Sequence, residues 1–379
     1  MTELMKREGI GNGPSVQETY PSRHPAFSAL ATALAVSGVM AIATPGRAQQ
    51  GCGPLAPPSG PTIQVSPGQA GQLRGIVLAA EAGTTILLEN GTYDLSGGDD
   101  SSRLSFYSAN VTLRSFSGDR DGVILDGGYG TNEIIAISAS KVIIADLTVM
   151  RAYAHPIDIS GQPGNPINGI LLHNLRIVDP REQAIKVNPV GDGYVDNSTI
   201  ECCSIELTDA GRTHVNPIPG GCYTGGIDVH EAQGWVVRRN RIEGFWCDSG
   251  LSEHGIHFWQ CCRDTLVEEN VIFDCARGIG LGLSQTGSCR TYPDDPYPTA
   301  GFKDHIDGVI RNNFVAAADR DLQRRLRTWQ HLRVVEGPPL AHMGAPISVS
   351  VFSVRRSTES NFSRAFQSIP CYSPYQLST

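Results

Sequence analysis

The chain has 379 residues, 40% of them apolar and 18% charged, and a formal net charge of −8 at neutral pH. This composition suits one sizeable core, and the negative balance argues against nucleic acid as a partner. An acidic polymer bound here must meet a local basic patch or a metal ion.

In chain order, Lys6, Arg7 and Arg23 precede an apolar run over 26–43 and then Pro45-Gly46-Arg47-Ala48-Gln49. This pattern predicts a secretory signal peptide over 1–48, cleaved after Ala48. The run is at the short limit for a membrane span, so the expectation is a secreted, periplasmic or cell-surface protein with no membrane association after cleavage. Ten cysteines follow: Cys52, Cys202, Cys203, Cys222, Cys247, Cys261, Cys262, Cys275, Cys289 and Cys371. In an exported chain they read as disulfides. Cys247 and Cys275 stand in similar places in successive repeats and are expected to pair. Residues 49–74, rich in Pro, Gly and Gln, form a linker or lead-in, and a short helical stretch follows.

From about residue 130 two phrases alternate. The first is a short strand with apolar residues at its second and fourth positions: Gly226-Ile227-Asp228-Val229-His230, Gly255-Ile256-His257-Phe258-Trp259 and Gly278-Ile279-Gly280-Leu281-Gly282. Looser copies start at Ile134, Pro156 and Ala184. Period-2 alternation sends the apolar pair to one face and the remaining residues to the other. The second phrase is a few apolar or β-branched residues closed by Asp146, Asn174, Asn197, Asn240, Asn270 and Asn313, in steps of 28, 23, 43, 30 and 43 residues. Two strand phrases recurring in fixed order, with insertions in some turns, predict an all-β fold, a single-stranded parallel β-helix over 75–318. Asn174, Asn240, Asn270 and Asn313 are expected as buried structural ladders that satisfy backbone groups.

Residues 79–94, Ala79-Ala80-Glu81-Ala82-Gly83-Thr84-Thr85-Ile86-Leu87-Leu88-Glu89-Asn90-Gly91-Thr92-Tyr93-Asp94, resemble the opening coil of right-handed parallel β-helix proteins of the pectin-lyase-like superfamily. In that superfamily a short N-terminal helix caps the stack. After Asp319 both phrases stop. The segment 319–379 is atypical, either a C-terminal cap or the product of a shift in reading frame near residue 320.

Aligning the strand phrases gives one outward column through Ala136, Asp158, Lys186, Asp228, His257 and Gly280, and a second through Ser138, Ser160, Asn188, His230, Trp259 and Gly282. Strands of neighbouring coils lie about 4.8 Å apart, so Asp158, Lys186, Asp228 and His257 should form a contiguous exposed ladder. Trp259 offers a face for a sugar ring, and Gly280 and Gly282 a shallow floor. Opposite charges on adjacent strands are also ordinary stabilising pairs, and that reading stands beside the first.

The family resemblance implies a carbohydrate substrate, usually an acidic polysaccharide. In a lyase acting by β-elimination, a base removes the proton α to a uronate carboxyl group while a cation neutralises that carboxylate. Lys186 between two carboxylates keeps its ammonium form, so His257 is the expected base. Asp158 and Asp228 would then hold a divalent cation such as Ca²⁺, and Arg277 would meet the carboxylate. His230, Asn188, His254 and Glu253 complete the expected substrate-binding set. Two alternatives stay open. One is an inverting glycoside hydrolase using Asp158 and Asp228 as acid and base, two coils or about 9.6 Å apart in backbone. The other is a non-catalytic polysaccharide-binding or adhesion module; a monomer is expected throughout. The family's full calcium-binding Asp cluster and its Arg-Pro lyase motif are missing, so no particular lyase family follows.

Overall fold

Each complete turn of the chain lays down one short strand in each of three parallel sheets, because the recurring apolar pairs have only the neighbouring coil against which to bury themselves. The structure, a computed structural model, describes residues 52–317 except 54, 220, 251, 283–289 and 300–302, together with the strand Ser350–Ser353. Two sheets hold nine strands and the third holds seven. The third consists of Leu104–Phe106, Ile135–Ile137, Ile157–Ser160, Gln183–Asn188, Gly225–Val229, His254–Phe258 and Arg277–Leu281. All pairings within the three sheets are parallel and in register, so the fold is the predicted parallel β-helix. The signal sequence expected over 1–48 lies outside the described residues. Of 319–379 only Ser350–Ser353 is described, pairing in register with Phe314–Ala317.

Two apolar columns fill the interior behind the third sheet. One runs Leu104, Ile135, Ile157, Ile185, Ile227, Ile256 and Ile279; the other runs Phe106, Ile137, Ile159, Val187, Val229, Phe258 and Leu281. Ile185, Val187, Ile227, Val229, Ile256 and Phe258 are fully buried, each gaining roughly 1.5–3 kcal/mol from removal from water. The register read from the strand phrases therefore holds.

The helix Ala70–Ala79 closes the first coil by burying Leu73 and Val77. The stack starts earlier than residue 75: Thr62–Val65, whose alternation buries Val65, already pairs with Thr85–Leu88. Upstream of it the lead-in is strapped across later coils. Arg114 Nη1 donates to Ala56 O, His173 Nε2 to Gly53 O, and Cys52 is bonded to Cys202.

The first sheet, which begins with Thr62–Val65 and ends with Val309–Arg311, is bounded in its last six coils by two left-handed corners five residues apart: Lys141/Asp146, Gly169/Asn174, Asn197/Cys202, Gly234/Arg239, Asp264/Glu269 and Asp307/Asn312, with φ between 47° and 71°. This corrects the register of the second phrase. Asn197 belongs to the earlier corner, and Cys202 is the counterpart of Asn174. Asn240, Asn270 and Asn313 stand one residue past their corners and are buried. Asn270 Nδ2 and its backbone N–H both donate to Asn313 Oδ1, and Asn240 repeats the pattern on Asn270 Oδ1. Asn174 is a half-buried corner residue bonded to Asp146 and Arg120.

The expected Cys247–Cys275 bridge does not form. Cys247 is bonded to Cys222 in the loops outside the sheet, whereas Cys275 faces the core as a buried free thiol, as do Cys203 and Cys262. A residue beside a sheet corner points inward whatever its type, so its place in the repeat says nothing about a partner. Cys289 and Cys371 lie outside the described residues. Among the described residues no helix is long and apolar enough to cross a membrane.

Replacing Asn270 by Ala orphans the backbone N–H of Asn240 and removes the side-chain donor to the carbonyl of Val237. A loss of about 2–3 kcal/mol in unfolding free energy is expected by urea titration. A loss below about 0.5 kcal/mol would show that the ladder is not structural.

Candidate functional site

The outward column is as aligned: Asp158 pairs with Lys186, Lys186 with Asp228, Asp228 with His257 and His257 with Gly280. It is not an exposed ladder, however. Lys186 is 6%, Asp228 4% and His257 0% exposed, because longer side chains from both strand ends fold over them. His257 is closed in by Trp259, edge-on at 4.7 Å between ring centroids, and by His254 at 4.3 Å. Gly280 is not an open floor either, since a Cβ there would stand 2.6 Å from His254 Nε2.

Lys186 Nζ donates to Asp228 Oδ2 at 2.5 Å and lies 3.1 Å from His230 Nε2, which is itself 3.3 Å from Asp228 Oδ2. Burial alone would raise the Asp228 carboxyl, but the His230 hydrogen bond and the Lys186 and His257 charges outweigh it and hold it far below the usual carboxylate range. Trp259 stacks on His230 with ring planes 9° apart. His230, Trp259, Asp158, Ser160 and Asn188 are half-buried and form the accessible end of the row. Ser160 Oγ donates to Asp158 Oδ2 at 2.9 Å, and Asn188 is the register partner of Ser160. Burial raises the Asp158 carboxyl to about 6.

Lys186 stands between Asp158 and Asp228, so these carboxylates do not frame one cation site as expected. Ca²⁺ takes oxygen ligands only, and an ammonium occupies the position between them. One group of potential metal ligands does occur among the described residues, at the strand starts: Glu253, His254 and His257. Burial raises the Glu253 carboxyl and pushes both imidazoles down, His257 to about 4. Arg277 pairs in register with His254 at this same end, five residues before the Trp259 end of the row.

Sequence reasoning missed His155 and Glu182. His155 Nδ1 donates to Gln183 O at 3.0 Å and its Nε2 lies 3.3 Å from Glu182 Oε2. Burial lowers the His155 imidazole to about 4. A signal was available: His155 precedes Asp158 by the same three residues that separate His254 from His257, and Glu182-Gln183 occupies the place of Glu253-His254. A cavity of about 420 Å³ lined by Arg212, Trp246 and the Cys222–Cys247 bridge lies apart from the row and contains none of these residues.

No protein family and no curated protein matches the sequence. Among solved structures the chain is similar to a pectate lyase, with a TM-score of 0.46 and 13% identity over 68% of this chain and 64% of that one. It is also similar to a surface adhesin of Streptococcus pneumoniae (0.38, 10%, 68% and 76%) and to an alginate lyase from Paenibacillus (0.33, 12%, 68% and 93%). The chain is a parallel β-helix. The likeness is one of fold, and the chain spans less than two thirds of the pectate lyase's length.

A carboxyl at about 6 in the folded state, against about 3.9 unfolded, binds its proton more tightly when folded. Its contribution to stability is full below about pH 4 and is lost as pH rises through about 6. Asp158→Asn should therefore raise the unfolding midpoint near pH 8 and change it little near pH 4. Equal shifts at both pH values, followed by circular dichroism, would contradict the burial argument.

Proposed function

We propose that this is an exported carbohydrate-active protein that cleaves an acidic polysaccharide by β-elimination at the accessible end of the third sheet. The supporting observation is the Lys186–Asp228–His230 cluster with Trp259 stacked over its open side. The His230 tautomer with Nε2–H directed at Asp228 Oδ2 carries a lone pair on Nδ1, the arrangement of a general base oriented by a carboxylate; it requires the Lys186 amine, 3.1 Å away, to turn its hydrogens from Nε2. Lys186, ion-paired with Asp228, would neutralise a uronate carboxylate and so acidify the adjacent C–H. Asp158, which retains a proton to about pH 6, is suited to protonate the departing sugar oxygen. Trp259 supports a ring by stacking, and Asn188 and Ser160 offer hydrogen bonds to hydroxyl groups. His257 passes from base to interior because it is fully buried. The disulfides Cys52–Cys202 and Cys222–Cys247 support export, since such bonds persist in oxidising compartments.

The hydrolase alternative draws support from the opposite shifts of Asp158 and Asp228, the pattern of an acid and its partner. It is weakened by the burial and low proton affinity of Asp228, which make that carboxylate a poor base for water.

On a panel of polyuronates the protein should release unsaturated products, seen as rising ultraviolet absorbance. His230→Ala should lower kcat by at least about a hundredfold, and Trp259→Ala should chiefly raise KM. Reducing ends formed without the chromophore would favour the hydrolase, and binding without cleavage the adhesion module.

A further inference from the structure

We propose that Glu253, His254, His257 and Asp228 form a binding site for one divalent transition-metal ion of the zinc class. One ligand atom from each of Glu253, His254 and His257 lies within 4.8 Å of the others. His257 Nδ1 is 3.8 Å from Glu253 Oε2 and 3.8 Å from Asp228 Oδ1, too far for hydrogen bonds. Each of these three atoms, and His254 Nδ1, is buried without a partner. His254 and His257 are themselves 8% and 0% exposed, and Asp228 4%.

The atoms share a chemical property. His257 Nε2 donates to Gly282 O at 2.7 Å, which leaves Nδ1 as an acceptor, and both carboxylate oxygens are acceptors. A water has two hydrogens and satisfies two of them; a cation satisfies all. Two imidazoles beside carboxylates suit zinc-class ions, whereas Ca²⁺ and Mg²⁺ favour oxygen donors. Bonds of 2.0–2.1 Å in a tetrahedron place ligand atoms about 3.3 Å apart, so closure from 3.8 Å is a small movement. The Gly282 carbonyl on the remote nitrogen of His257 is the outer partner that metal-bound histidines usually have.

The backbone makes room for this group. A Cβ on Gly225 would stand 2.9 Å from Glu253 Cβ, and one on Gly280 2.6 Å from His254 Nε2. Both close approaches need glycine. The site shares Asp228 with the proposed reaction row, through Oδ1 rather than Oδ2, and does not depend on the reaction assigned there.

The test uses the full exported chain, free of affinity tags, after chelator dialysis. Zn²⁺ titration by calorimetry should show a single equivalent bound and a raised unfolding midpoint, and Co²⁺ should give an intense visible band; Ca²⁺ should do neither. Glu253→Gln, which keeps shape and loses charge, should weaken Zn²⁺ binding at least about tenfold. Gly280→Ala, checked for folding by circular dichroism, should abolish the cobalt band by displacing His254. No Zn²⁺ binding, equal binding in both variants, or binding of Ca²⁺ alone would overturn the proposal. Zinc binding by a protein inactive on every polyuronate would sink the lyase reading and leave the metal site standing.

Discussion

The structure depends on the parallel hydrogen-bond register that sets each strand residue beside its counterpart one coil away. Because the side-chain period is two, that register decides inside from outside for a whole column at once. Ile227, Ile256 and Ile279 lie in line in the core, and Asp228, His257 and Gly280 lie in line on the other face. A slip of one residue would turn the charged groups into the apolar core and the isoleucines out of it together. The chemistry of the site is therefore a consequence of core packing, and no separate device is needed to bring Asp158, Lys186, Asp228 and His257 into one row.

The columns were legible in the sequence because they rest on this period alone. What failed rested on residue type. Asn197 was assigned to the wrong corner since Asn, Asp, Gly, Arg and Cys all occupy the left-handed corners here, and a side-chain pattern cannot separate two corners five residues apart. Cys275 was given a partner by its place in the repeat, although that place points into the core. The burial of Lys186, Asp228 and His257 was invisible because residues outside the column, notably His254 and Trp259, cover it. His155 and Glu182 were missed because the phrases were read from the first strand residue onward, whereas the site extends to the residues just before.

The row has two ends of different character. At the Trp259 end the groups are half-buried and include donors, acceptors and an aromatic face, a surface suited to a hydrated polymer. At the Glu253 end the two imidazoles are buried, Glu253 and Arg277 are half-buried, and the groups crowd around glycines. Asp228 joins the two, with Oδ2 on Lys186 and Oδ1 toward His257. A charge bound at one end would be felt at the other through this carboxylate. The lengths of the turns show how such a site is elaborated. The corners at 146, 174, 202, 239, 269 and 312 are 28, 28, 37, 30 and 43 residues apart, while the segment between paired corners never changes. All variation falls in loops beyond the first sheet, so the surroundings of the row can change without disturbing the stack.

A stack of coils with contacts only between neighbours tends to fray from its ends. The lead-in changes that tendency. By running from the first strand back across the coils of Arg114 and His173 to Cys202, it ties sequence position 52 to a coil 150 residues downstream. Closing a loop of that length removes on the order of 5 kcal/mol of chain entropy from the unfolded state in the simplest treatment. The first coils cannot peel away freely while the strap is oxidised. A strand released at that end stays tethered to the coil of Cys202, so re-pairing competes with further unwinding until the bond is reduced.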